Sequence, residues 1–580
     1  MAFSDTAVDL TSPELSPGLS QDEFSGMSES HSRMSFAGVP GAPPNRALLW
    51  DKENAEADDF LHEPDPALEK MLDSQMAHWS IIGVFNTAML CVIIIVLVGL
   101  FAGWPIYRYV ILGGFPNVAV SGGWANSSGQ IPSIPGYPGL IDADTPTDLY
   151  KRTGFDGETY NLVFSDEFNQ DGRTFWPGDD PFWEAVDLHY WATTDLEWYD
   201  PDAITTENGS LVITLSEEPD HGLNFRSGML QSWNKFCFQG GYIEFGLSLP
   251  GKPTAQGYWP AVWTFGNLGR AGYGGSVDGM WPYTYNTCDV GTLPNQTWPN
   301  GTSPTAAKTS GSSDYGGELS YLPGQRVSAC TCPGEDHPGP NVKTGRGAPE
   351  IDILEGQIAP NGKQGSASQS IQMAPMDAGY LWLNTTPYIQ TWDTSLTTQN
   401  QWKGAVTQES ASLNTLTDDT SYEGAGWTSY GAEFDPGADG KSLTLTRGCR
   451  LTLLISTGRI TWAINGSQTW QFNADAFGPN EEAQIGQRLI AEEPMYININ
   501  LAISTKFQEP QWGKLEFPGH LRIDYVRVWQ KGDAKLGCDP ASHPTSDYIN
   551  NHLDLYQNPN YTVFTDSPYT KPKNSLSDTC

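Results

Sequence analysis

Basic side chains are scarce in this chain: 31 Lys and Arg stand against 68 Asp and Glu among 580 residues, a net charge of −37. So acidic a chain repels phosphate backbones, which excludes nucleic acid held on a broad basic face. Charge of either sign is sparse too, at 17% against roughly 25% in ordinary soluble domains. G-x-S-x-G, P-loop and G-x-G-x-x-G motifs are missing, and with them the usual signatures of serine hydrolases and nucleotide binding. Synthesis directly from a nucleotide sugar is therefore unsupported. Helical periodicity is scarce, which excludes a coiled coil and speaks against a helical bundle. Abundant instead are 61 Gly, 42 Pro, 21 Trp and 24 Tyr, the composition of a turn-rich β protein with many large amphipathic rings.

One apolar run stands out. Ile81 to Gly103 holds 23 residues without a charge, about 34 Å as a helix and enough for a hydrocarbon core of ~30 Å. Trp79 precedes it and Trp104, Tyr107 and Tyr109 follow it, as interfacial aromatics do. It lies too far from the N-terminus for a cleaved signal peptide and reads as an uncleaved transmembrane signal anchor, residues 79–103. Lys70 and Arg108 flank it evenly, so the positive-inside rule gives no orientation. Seven Asn-x-Ser/Thr sequons all follow the run, at Asn126, Asn208, Asn295, Asn300, Asn384, Asn465 and Asn560, as do seven of the eight cysteines. This asymmetry predicts a cytosolic N-terminus and a large domain in an oxidising, glycosylating lumen.

Residues 1–78 carry 15 acidic and 4 basic side chains and read as a disordered cytosolic tail. Residues 104–153 read as a Gly/Pro/Ser-rich stalk. From residue 154 short β-branched and aromatic runs alternate with Gly, Pro and Asn turns, among them Asn161–Phe164, Ser210–Leu215, Gly241–Leu249, Ile351–Leu354, Leu451–Ile455, Arg459–Ile464, Tyr496–Ile503 and Leu521–Trp529. The pattern predicts an all-β sandwich over 154–532, interrupted by loop-dominated stretches at 267–349 and 357–425. Residues 533–580 read as a polar C-terminal extension.

The pointed chemistry is Glu350-Ile351-Asp352-Ile353-Leu354-Glu355. Strand alternation puts Glu350 and Asp352 on one face and Ile351 and Ile353 on the other. It would also put Leu354, not Glu355, beside the carboxylates. A β-bulge at 353–354 would return Glu355 to their face. Three close carboxyl groups cannot all ionise at neutral pH, so one becomes a proton donor. Retaining glycoside hydrolysis needs that division between an ionised nucleophile and a protonated acid. Gly257 to Trp263 (GYWPAVW) puts Trp259 and Trp263 on one face of an extended segment, where flat indoles suit sugar rings.

With these motifs the chain resembles glycoside hydrolase family 16. The family's E-x-D-x-x-E pattern matches Glu350, Asp352 and Glu355. Its opening strand looks like Leu162–Phe168, its G-x-W-P-A-x-W element matches Gly257–Trp263, and its closing strands look like Asn500–Ala502 and Asp524–Trp529. The resemblance implies a concanavalin A-like jelly-roll sandwich with a sugar cleft, Glu350 as nucleophile, Asp352 as its helper and Glu355 as general acid/base. It implies no cofactor. The tail, anchor and domain order, with segments such as Tyr283–Asp289, Ser328–Gly334 and Cys538–Pro540, also resembles the fungal membrane proteins associated with β-1,6-glucan synthesis. That implies a single-pass type II protein of the secretory pathway (endoplasmic reticulum, Golgi or plasma membrane) with cell-wall β-glucan as its partner, acting as glycosidase or transglycosidase. The alternative is a non-catalytic glucan-binding scaffold or assembly factor, to which the long insertions are also suited. Cys330-x-Cys332 with His337 departs from zinc-ligand spacing, so no metal is expected, and Cys288 paired with Cys330 or Cys332 would staple the first insertion. Asp435–Gly440 reads as a turn rather than a calcium loop.

Overall fold

In the computed structural model the described residues are 139–437 and 458–580, the helix Ile81–Val98, the short strands Leu443–Leu445 and Leu453–Ile455, and Ala67, Lys70, Met71 and Ser74. The remainder of the tail, residues 99–138 with Asn126, and Cys449 lie outside the described residues. Two compact units partition the chain, Met1–Gly114 and Phe115–Cys580.

The helix of the first unit has 18 residues, none charged, and is about 27 Å long. It covers the beginning of the 23-residue apolar run. Among the described residues no helix is long and apolar enough to cross a membrane.

The second unit is built on two large antiparallel sheets. The first runs, in spatial order, Lys151–Thr153, Thr159–Asp166, Gly519–Lys531, Gly241–Ser248, Thr428–Asp435, Arg459–Ile464, Ser467–Asn473 and Ile389–Thr391. The second runs Thr397–Gln399, Gln408–Leu416, Gly365–Met373, Glu350–Ile358, Trp259–Gly266, Met495–Ala502, Met229–Gln231 and Glu184–Ala185. This is the all-β sandwich that the strand pattern predicts. Its core shows the alternation directly. In Met495–Ala502 the side chains of Met495, Ile497, Ile499 and Leu501 enter the inter-sheet core, together with Val262, Ile351, Ile353, Ile371, Phe245 and Trp462. Tyr496 and Ala502 belong to a second apolar cluster on the sheet's other face. Each such buried aliphatic or aromatic side chain contributes about 1.5–3 kcal/mol.

Three expectations are corrected. Residues 357–425 carry more regular structure than expected: Gly365–Met373 and Gln408–Leu416 are nine-residue strands, third and second from one end of the second sheet. Their sequences, GSASQSIQM and QESASLNTL, are polar and small, and their strand state comes from cross-strand partners rather than from propensity. Residues 139–153 are not free stalk: Lys151–Thr153 pairs with Thr159–Asp166, and Asp142 Oδ2 accepts from Glu167 N at 3.0 Å. The C-terminal extension is not a loose tail. It forms the helices Ser546–Asn551 and Leu553–Gln557 and is tied back by disulfides Cys237–Cys538 and Cys332–Cys580.

Candidate active site

The strand Glu350–Ile358 carries the predicted bulge. Its register with Gly365–Met373 runs Asp352 opposite Ser370 and then Glu355 opposite Ser368, so two residues, Ile353 and Leu354, face one. Both of these are fully buried in the core. The extra residue therefore swings Glu355 back to the face that holds Glu350 and Asp352. The backbone disturbed by the bulge is satisfied from the opposite sheet: Trp462 Nε1 donates to Asp352 O at 2.8 Å. Trp462 in turn stacks on Trp470 with ring centroids 4.2 Å apart.

Strand register sorts the face into three lateral rows. Tyr496, Phe265, Glu350, Gln372 and Ser410 form one; Asn498, Trp263, Asp352, Ser370 and Ser412 the next; Asn500, Ala261, Glu355, Ser368 and Asn414 the third. The carboxyls thus sit at the centre of a polar sheet face. A pocket of about 430 Å³ opens over Glu350, Asp352, Glu355, Trp259, Trp263 and Asn500, and Tyr190, Thr193, Asp195 and Tyr199 also line it.

Each carboxyl has a different surrounding. Asp352 is buried, and its Oδ2 accepts from Ser370 Oγ at 2.9 Å and Gln372 Nε2 at 3.0 Å. Burial still pushes it up to about 6, against those two donors. Glu355 accepts longer bonds from Ser370 and Ser368 Oγ, 3.3 and 3.4 Å. Burial and then the Asp352 charge push it up to about 8, which leaves it protonated at neutral pH. Glu350 is also pushed upward, well above its ordinary range, by burial, by its two acidic neighbours and by a hydrogen bond shared with Asp352, opposed by the indole of Trp281, whose Nε1 donates to Glu350 Oε2 at 2.5 Å. All three carboxyls are raised, so the trio holds at least one proton at neutral pH, and the Trp281 donor opposes the rise at Glu350.

The two tryptophans both reach the pocket with different engagements. Trp263 is nearly buried and donates its Nε1 to Asn500 Oδ1 at 2.8 Å. Trp259 stacks on Phe507 at 4.2 Å and 6°. Cys288 bonds Cys330, and Cys332 bonds Cys580, so both cysteines of the C-x-C pair are committed. His337 Nδ1 accepts from Gly339 N and its Nε2 donates to Thr344 O, 2.9 and 3.0 Å. Asp435 ends the strand Thr428–Asp435 and accepts from Lys531 Nζ and Gly437 N, 2.5 and 3.0 Å; residues 438–440 of the expected turn lie outside the described residues. Asn208, Asn295, Asn300, Asn465 and Asn560 are exposed and Asn384 is half-buried.

The profile of the beta-glucan synthesis-associated proteins SKN1/KRE6/Sbg1 matches residues 48–580. The chain belongs to this family. It is 38% identical over 587 aligned positions to the beta-glucan synthesis-associated protein KRE6 of Saccharomyces cerevisiae, covering 98% of this chain and 75% of that protein. It is 39% identical to the corresponding SKN1 of Candida albicans, covering 92% and 68%. Among solved structures, a non-specific endo-beta-1,3(4)-glucanase from family GH16 aligns over 68% of this chain and 98% of its own, at 18% identity and a TM-score of 0.34. An endo-beta-1,3-glucanase from Pyrococcus furiosus aligns over 66% and 98%, at 16% identity and a TM-score of 0.37.

Several pocket groups of this family member escape sequence reasoning. Tyr190, Thr193 and Asp195 come from a turn-rich segment and Tyr199 from the three-residue strand Glu197–Tyr199, too short for alternation to reveal them. Within it Asp195 accepts from Thr193 Oγ1 at 2.6 Å and Tyr199 OH at 3.0 Å, and burial pushes it up to about 6. Asn500 did carry a signal: Tyr-Ile-Asn-Ile-Asn places its amide on the face opposite the isoleucines. Trp281 lies in a loop insertion, where no period exists to read.

Proposed function

We propose that this protein is a membrane-anchored retaining β-glucan glycosidase or transglycosidase acting in cell-wall β-1,6-glucan assembly. The observation that carries the reading is the bulged strand, which lines up Glu350, Asp352 and Glu355 on one sheet face that lines the pocket. In this reading Glu350 attacks the anomeric carbon while Glu355 protonates the departing glycosidic oxygen. Asp352, fixed by Ser370 and Gln372, holds negative charge between them and tunes both. Glu355, now ionised, then takes the proton of the incoming hydroxyl as that oxygen displaces Glu350. Water as acceptor gives hydrolysis, and a glucan hydroxyl gives transfer. Trp259 and Trp263 supply apolar surface for sugar rings. Support for a polyhydroxylated ligand also comes from Gln372 Oε1 and Ser410 Oγ, buried neighbours across the sheet without hydrogen-bond partners.

In the same reading residues 79–103 anchor the chain, residues 1–78 are cytosolic, and the β domain, 154–532 with its C-terminal extension 533–580, is lumenal. Three disulfides among the described residues suit an oxidising compartment. The relatives' association with β-glucan synthesis supplies the pathway.

The test incubates the detergent-solubilised full chain with β-1,3- and β-1,6-gluco-oligosaccharides and follows product masses. Lengthened products report transfer and shortened ones hydrolysis. Glu350→Gln and Glu355→Gln are expected to lower the rate by about 10²–10⁴-fold. Variants as active as the wild type, or Glu350→Gln protein that restores wall glucan in a deletion strain, would favour the scaffold.

A further inference from the structure

The first insertion folds back onto the residues that lead into the carboxyl-bearing strand. Ala348 N donates to Met280 O at 2.9 Å, and Arg346 N to Val327 O at 2.8 Å. At Gly347 the approach is so close that a Cβ would lie 2.2 Å from Tyr283 O. From this turn Trp281 reaches Glu350, with the 2.5 Å bond from Nε1 to Oε2. Glu350 lines the pocket, and Trp281 is a half-buried indole packed beside it.

The turn is itself held from two sides. Arg326 donates to Gly275 O and Ser276 O, each at 2.8 Å. From the C-terminal extension, Tyr561 O accepts from Gly275 N at 2.7 Å and Phe564 N donates to Asp278 Oδ2 at 3.0 Å. The ionisable groups facing Glu350 are Asp352 and Glu355 on its own strand, Tyr190 in the pocket lining and Tyr496 two strands along the same row, beyond Phe265. None of the four is a cation. The donor on Glu350 is thus a neutral indole.

We infer that Trp281 is a positioning residue: it holds Glu350 Oε2 and favours the carboxylate, leaving Oε1 for the anomeric carbon. This rests on the reading of Glu350 as nucleophile. It also gives the first insertion and the C-terminal extension a task at the site, since together they fix the turn that presents the indole. A neutral donor stabilises a carboxylate without forming an ion pair that would quench its nucleophilicity.

The experiment measures oligosaccharide turnover against pH for the full chain, for Trp281→Phe, and for the chain with β-(3-benzothienyl)alanine at 281. The last keeps the indole's shape and replaces the N–H by sulfur. Loss of the N–H removes a bond that favours the ionised form, so Glu350 protonates at higher pH. The acid limb of the rate profile is expected to move up by about one pH unit or more, with kcat below neutrality falling at least about tenfold and KM within about twofold. The benzothienyl variant keeps the packing, so its shift cannot be attributed to misfolding. A wild-type chain without turnover would overturn the nucleophile reading itself. A wild-type chain with turnover, whose two variants keep its acid limb and kcat, would overturn the positioning role alone.

Discussion

At the scale of single residues, the three acidic side chains have unequal surroundings. Glu355 has long hydrogen bonds and an acidic neighbour, Asp352 two good donors, Glu350 one indole. A carboxyl raised to about 8 is protonated in the folded chain at pH 7 and ionised in the unfolded one. Its contribution to stability is therefore complete below the unfolded value near 4.5 and is lost as pH rises through about 8. Asp352 behaves likewise, with its loss centred near 6. Thermal midpoints of the wild type are thus expected to fall between pH 5 and 8. Glu355→Gln, which cannot ionise, is expected to flatten the part of that slope between about 6 and 8. Calorimetry across the pH series checks this, and an unchanged slope would remove Glu355 as the high-titrating group. On the proposed mechanism the same proton sets the alkaline limb, and turnover is expected to decline above about pH 8.

At the scale of elements, the bulge and the segment before it decide where the carboxyls point. The bulge was legible in the sequence because alternation fails at one position: Ile351, Ile353 and Leu354 are all core residues, and a regular strand cannot bury both 353 and 354. Gly365–Met373 and Gln408–Leu416 were illegible for the opposite reason. Their serines and glutamines look like loop, and only pairing within the sheet makes them strands. The approach to Glu350 is anchored by Arg346, a fully buried guanidinium that donates to Glu493 through Nε and Nη2, both at 2.7 Å, and to Gly339 O and Pro544 O. Although burial opposes it, Arg346 holds the Glu493 carboxyl below its ordinary range. Arg346→Ala would leave that carboxylate buried and unpaired. It is expected to cost about 3–5 kcal/mol, measured by denaturant unfolding of the variant against the wild type. A loss under about 1 kcal/mol would mean that water or another cation replaces the guanidinium.

At the scale of the whole molecule, the disulfides join distant stretches of chain. Cys237–Cys538 spans 301 residues and Cys332–Cys580 spans 248, so the C-terminal extension is tied to the sheet and to the first insertion. The type II arrangement proposed for the chain makes a direct prediction. Treatment of membranes from expressing cells with a peptide N-glycosidase is expected to lower the apparent mass in several steps. Protease added outside sealed vesicles is expected to remove only about 9 kDa of N-terminal tail. Protease digestion of the β domain in intact vesicles, with no glycan released, would reverse the topology.

The sequence by itself determined the class of the fold, the carboxyl triad and its bulge, and the apolar run at 81–103. Each of these is a local pattern in which periodicity, or its failure at one residue, carries the information. Tertiary structure alone decided that polar strands complete the sheet, that Asp195 and Tyr199 line the same pocket as the triad, and that Trp281 hydrogen-bonds Glu350. Those relations join residues tens to hundreds of positions apart, set by sheet register, insertion packing and disulfides. Alternation within one strand records which side of that strand is buried. It carries no record of which distant loop will come to lie against it.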